Sequence, residues 1–210
     1  VEILEKVASG DASECTTIVD GFVASDVDLI MANATAALQA AVNKTEIIPV
    51  LGTSITEYGV ATGLTFTDGK SGTNVSGTSD IASIEEQVNI MLKLLEDSGK
   101  ATDKIGILYC SSEANSKFQV DEATKFFQAK NKTVVARSFV DTTDLTAVCN
   151  SLVSEVNAVY IPTDNKCADN TGIIRANITD KGVPVFTGES GICAGCGFAT
   201  LSIDYYHLGE

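Results

Sequence analysis

The sequence predicts an α/β protein of two similar lobes, each a doubly wound parallel sheet. Three observations carry that reading. Short apolar runs rich in β-formers alternate with segments whose apolar residues recur at helical spacing, which is the pattern of successive βα units. The pattern also repeats: the helix face Cys15, Ile18, Val19, Phe22 and Val23 returns as Leu145, Val148, Cys149, Leu152 and Val153 at an offset of 130, and the strands that follow return at 129. Finally, each apolar strand stops abruptly in hydroxyls, amides and acids, and the carboxyl ends of parallel strands are where open α/β sheets bind ligands.

In chain order, VEILEKV reads as a strand, and Asp11 or Ser13 caps the first helix. The strand VDLIMA follows with the exit NAT, then a helix through ALQAAV and the strand IIPVL, ending in Gly52, Thr53 and Ser54. The glycine- and serine-rich stretch TFTDGKSGTNVSGTSD is expected to be loop plus a short strand, NVSGTS, where the chain leaves the first lobe. A helix with apolar residues at Ile84, Val88, Met91, Leu92 and Leu95 comes next. The second lobe then runs through strand KIGILYC, the exit SSEANS and a helix with Phe118, Val120, Ala123 and Phe127. It continues through TVVARSFV, a helix, NAVYI with the exit PTDN, a further helix, and VPVF with the exit TGES. ATLSIDYY is expected to return to the first lobe, giving lobes at 1–80 plus 192–210 and at 81–191.

The unit KIGILYC plus helix has no counterpart before Val1. In a sheet of order 2-1-3-4-5 the first strand is interior, so the first lobe is expected to lack a central strand and the chain to be a fragment.

Composition narrows the function. The net charge of −14, from 28 acidic and 14 basic residues without a basic cluster, argues against nucleic acid as a partner. No apolar run reaches the roughly 20 residues that span a bilayer. Among six cysteines, Cys193 and Cys196 form a CAGC pair that reads as lying in a glycine-rich loop. With one histidine and no second CxxC, a structural zinc site is not expected, and a loop disulfide or two free thiols is the simpler reading. Cys15 and Cys149 fall on apolar helix faces, as small buried hydrophobes do.

The exits hold the candidate binding residues: Thr35 in the first, Thr53 and Ser54 in the second, then Ser111, Ser112 and Asn115, then Thr163, Asp164 and Asn165, and finally Glu189. Each residue type is also a standard helix cap, and both roles stay open. Their chemistry suits a small zwitterion in a cleft between the lobes. Helix N-termini after Thr35 and Ser111 would take a carboxylate, and Asp164 and Glu189 would accept from an ammonium group. Tyr58 and Phe66 either line a side-chain pocket or pack at a hinge. Catalysis finds less support: His207 has no partner motif, and neither GxGxxG nor GxxxxGK[ST] occurs.

The runs GTNVSGTSDIASIEEQ, KIGILYCSSEANS, AVYIPTDN, VPVFTGESG and SIDYYHLGE, in that order across nearly the whole chain, resemble the substrate-binding proteins of ABC-type importers, in the branch that takes tryptophan and other aromatic amino acids. The resemblance implies the type I periplasmic-binding-protein fold, two flavodoxin-like lobes joined by a hinge. It implies an extracytoplasmic, lipoprotein-anchored or periplasmic protein that delivers an amino acid to a membrane permease, with no enzymatic activity and no cofactor. Carried onto these positions, it marks Ser111, Ser112, Asn115, Thr163, Asp164, Asn165 and Glu189 as ligand contacts, with Thr35 and the GTS exit for the first lobe. Family members usually carry a leading signal, a first strand and helix, and further elements past YYxLG, none of which stands in this chain. Two other readings are a ligand-sensing receptor module of the same fold and a thiol oxidoreductase using Cys193 and Cys196.

Overall fold

The computed structural model describes residues 1–210. The chain divides into two units, Val1–Ile81 with Asp204–Glu210, and Ala82–Ile203.

In the first unit, α1 (Ala12–Ala24) starts where the Asp11 carboxylate accepts from the Ser13 and Glu14 amides. Then come β1 (Ile30–Asn33), α2 (Thr35–Lys44), β2 (Val50–Ile55), α3 (Tyr58–Thr62) and β3 (Val75–Ser79). The strands form a parallel sheet in the order β1-β2-β3. One face carries the core: Ile30, Ala32, Val50 and Ile55 pack with Cys15, Val19, Leu38 and Ala41 from the helices. Met31 and Leu51, on the opposite face, are exposed.

The second unit contains α4 (Ile84–Asp97), β4 (Lys104–Cys110), α5 (Ala114–Ala129), β5 (Thr133–Phe139), α6 (Thr142–Val153), β6 (Ala158–Ile161), α7 (Asn165–Asp169), α8 (Thr171–Asn177), β7 (Val185–Thr187), α9 (Ser190–Cys196) and β8 (Ala199–Thr200). A last short helix, α10 (Tyr205–Gly209), belongs to the first unit. The second sheet is parallel throughout, in the order β5-β4-β6-β7-β8, which is the expected 2-1-3-4-5 winding. All four residues of β6 are buried, as a central parallel strand covered on both faces requires. One face packs on α6, α8 and α9 through Leu145, Cys149, Leu152, Ile174 and Ile192. The other packs on α4 and α5 through Val88, Met91, Leu95, Val120 and Phe127, with Tyr160 stacked on Phe186 at 6.4 Å between ring centroids.

The structure differs from the sequence expectation in three places. Residues 1–7 join no strand, and Val1, Ile3 and Val7 are exposed. A β-strand exists only through its ladder, and β2 is the only strand paired with β1, so this stretch leaves its backbone to water. The CAGC stretch is helical, not loop, because Glu189 caps α9 at its start and Ile192 and Cys196 bury one side of it. Ala199–Thr200 pairs with β7, so residues 192–203 stay in the second unit; only from Asp204 does the chain rejoin the first.

Candidate functional site

The carboxyl ends of β4, β6 and β7 bring most of the expected binding residues together in the second unit. Their side chains divide into those bound up in holding the strand exits and those left open. Asp164 belongs to the first group. It is 1% exposed; its Oδ2 accepts from the Cys110 amide at 2.6 Å and its Oδ1 from the Cys167 amide at 2.8 Å. One carboxylate thus ties the end of β4 to the first turn of α7. Burial, and next the charge of Glu113, push its acid group up, against the lowering effect of the two amides. So enclosed, Asp164 holds the strand exit together from beneath.

Glu113 performs the matching task from the other exit. Its oxygens accept from the amides of Asn165 and Lys166, at 3.1 and 2.9 Å, and from the Asn165 side chain at 2.8 Å. Asn165 is thereby held on the surface by its neighbour across the exit. Asn115 is buried and donates to the Thr163 carbonyl at 3.1 Å. Gln119 grips the same residue from both sides, donating to the Thr163 carbonyl and accepting from its amide, each at 3.1 Å. The Thr163 hydroxyl points to the Gly188 carbonyl at 3.4 Å.

Glu189 caps α9, accepting from the Gly191 amide at 2.7 Å and the Ile192 amide at 2.8 Å. Its Oε1 also accepts the Ser190 hydroxyl at 3.1 Å, and unlike Asp164 it remains only half-buried. Ser111 and Ser112 are exposed as residues, but the Ser111 hydroxyl donates to the Phe139 carbonyl at 3.3 Å and the Ser112 hydroxyl pairs with the Cys110 thiol at 3.0 Å. They precede α5, whose first turn lacks any capping side chain. The uncapped N–H groups there carry the positive end of the α5 helix dipole.

The first unit shows the same feature. No side chain caps α2, whose Ncap, Ala34, holds a left-handed φ of 81°, and the buried Thr35 opens the helix. The short α8 is uncapped as well, whereas α1, α3, α4, α6, α7, α9 and α10 each have a capping carboxylate or hydroxyl. Thr53 and Ser54 lie half-buried at the end of β2, where the pairing with β3 shifts register and Ser54 has φ 55°. Tyr58 packs edge-on against Phe66 at 5.6 Å, and its hydroxyl donates to the carbonyls of Gly52 and Thr78. Burial, then the charge of Asp80, raises that phenol to about 12.

Three further residues escaped the sequence reading: Gln87, Gln119 and Asp80. Gln87 had a visible signal, since it falls on the apolar face of α4 between Ile84 and Met91 and is 2% exposed. Asp80 had none, being one more acid in a polar loop.

All six cysteines are free, and burial pushes the Cys196 thiol up to about 12, away from the thiolate that attack requires. No group of three or more His, Cys, Asp or Glu is placed to hold a metal ion, and no helix is long and apolar enough to cross a membrane.

Against family models, residues 1–210 match the ABC transporter substrate binding protein family. The chain belongs to this family. A curated relative, a tyrosine-binding protein of Clostridioides difficile (strain R20291), is 34% identical over 202 residues, which is 96% of this chain and 57% of that protein. The chain therefore spans little more than half of the curated relative it matches. Among solved structures, an ABC domain from Streptococcus pneumonia in complex with L-Trp is 29% identical, with a TM-score of 0.87 over 95% of this chain and 68% of that one. A ligand-free, open substrate binding protein with adhesive properties from Clostridium difficile is 35% identical, with a TM-score of 0.62 over 95% of this chain and 66% of that one. A leucine binding protein from Thermotoga maritima, at 14% identity and a TM-score of 0.62, shares the fold, that of the type I periplasmic binding proteins.

Proposed function

We propose that this family member serves as an extracytoplasmic solute-binding protein that takes an aromatic amino acid and presents it to the membrane permease of an ABC importer. The observation that carries the reading is the pair of long helices, α2 and α5, that begin at strand exits without a capping side chain. Uncapped N–H groups at a positive dipole end suit a ligand carboxylate, and Ser111 and Ser112 lie beside the start of α5. Thr53 and Ser54 take the corresponding place beside α2. Glu189, half-buried where Asp164 is buried, is the acid placed to accept from the α-ammonium group, and Thr163 and Asn165 border it on the neighbouring exit. Asp164 and Asn115 shape the site from beneath. The relatives named for tyrosine and bound to tryptophan favour an aromatic side chain.

Calorimetric titration with the amino acids, a set of sugars and a set of nucleosides tests the reading. Tight binding of tyrosine, phenylalanine or tryptophan is expected. Tight binding of a sugar or nucleoside with no response to any amino acid would remove it.

A further inference from the structure

The chain passes between its two units twice, at 81/82 and at 203/204, and neither passage has regular structure. On each side, a buried polar side chain of the outgoing passage is hydrogen-bonded to the returning one. In the first unit Asp80, 6% exposed, accepts the Tyr205 hydroxyl at 3.0 Å through Oδ2. Its amide is fixed to the Ile55 carbonyl at 3.0 Å, so the bond reaches back to the end of β2. In the second unit Gln87 donates to the Leu201 carbonyl at 2.7 Å and to the Gly188 carbonyl at 3.4 Å, and accepts the Tyr160 hydroxyl at 2.6 Å.

We infer that Asp80 and Gln87 are positioning residues that clamp the two passages together at both ends and so confine backbone flexing to the short stretches inside the clamps. Those stretches are 81–83, ahead of α4, and 202–204, ahead of α10. The placement is what distinguishes this from ordinary satisfaction of core polar groups. Asp80 and Tyr205 each sit directly beside a crossing, and Gln87 and Leu201 close the same pair of segments from the other side. The Asp80 Oδ1 atom is buried without a hydrogen-bond partner. Gln87 also holds Gly188, next to Glu189, so the second clamp joins a passage to a strand exit of the candidate site. The inference rests on the solute-binding reading only for its purpose, which is to give opening and closing a fixed pivot.

Amide hydrogen exchange on the intact ligand-free protein tests it, with Tyr205→Phe and Gln87→Met as variants. The first removes one hydroxyl from a partly exposed ring and leaves the fold intact. Losing one hydrogen bond is expected to speed exchange about fivefold, at Asp80, Ile81, Tyr206 and His207 in Tyr205→Phe and at Gly188, Thr200 and Leu201 in Gln87→Met. Protection in α5 and β4 stays unchanged. Unchanged exchange at those amides in both variants, or an equal acceleration throughout the affected unit, would overturn the clamp. Because no ligand is present, this outcome is independent of whether an amino acid binds.

Discussion

Asp164 lies beneath the strand exits with each oxygen engaged by a backbone amide, one from β4 and one from α7. Removing the carboxylate leaves two buried N–H groups without acceptors, each costing about 1–3 kcal/mol. Asp164→Ala is therefore expected to destabilise the ligand-free protein by about 3 kcal/mol, read as a lower midpoint in urea denaturation. A midpoint like that of the parent would return Asp164 to the ligand. The sequence placed this acid at a strand exit and favoured an acceptor for a ligand's ammonium group, with a helix cap as the other reading. Its partner Cys110 is 54 positions away, and that amide is reached only through the pairing of β4 with β6. For Glu113 and Gln119 the partners are equally remote in sequence, which is why their roles were not legible. Ser111 and Ser112 were legible because their exposure follows from position alone: they come directly after a strand and before an open helix.

Elements whose burial depends on their own periodicity matched the expectation closely. All five apolar positions read for α4, Ile84, Val88, Met91, Leu92 and Leu95, are buried. Elements that depend on a neighbour did not: residues 1–7 have β-formers but no paired strand, and α9 takes its helical form from the Glu189 cap and its contact with α8. Gly195 shows that contact, since a Cβ there would come 2.4 Å from Thr171. The β2–β3 pair holds a tighter case. Gly77 has φ 150°, and a Cβ on it would fall 2.0 Å from the Gly52 carbonyl oxygen and 2.1 Å from the Tyr58 hydroxyl. Only glycine lets the edge strand and the tyrosine converge on that carbonyl. Gly77→Ala should cost about 2 kcal/mol or more by overpacking, while the matching change at Gly172, where a Cβ would meet nothing within 4 Å, should be nearly silent. Thermal unfolding of the two variants side by side checks the contrast.

For the whole molecule, the repeat at 129–130 residues foretold two units of one kind, and the second has the full 2-1-3-4-5 sheet. The first has three strands, with Met31 and Leu51 exposed on the uncovered face of its sheet. The acidic balance of −14 bears on recognition as well. A chain with this surplus of carboxylates attracts ligand ammonium groups readily and needs local positive potential to hold a ligand carboxylate. In the proposed reading the uncapped start of α5 supplies that potential without a basic side chain. The central claim is that an amino acid is held by its carboxylate at the start of α5. The most direct test titrates the protein with L-tyrosine and L-tryptophan beside tyramine and tryptamine, which keep ring and ammonium but lack the carboxylate. Losing two or more charge-assisted hydrogen bonds predicts amines weaker by about 100-fold or more. Equal affinity for the amino acids and their amines would contradict the account.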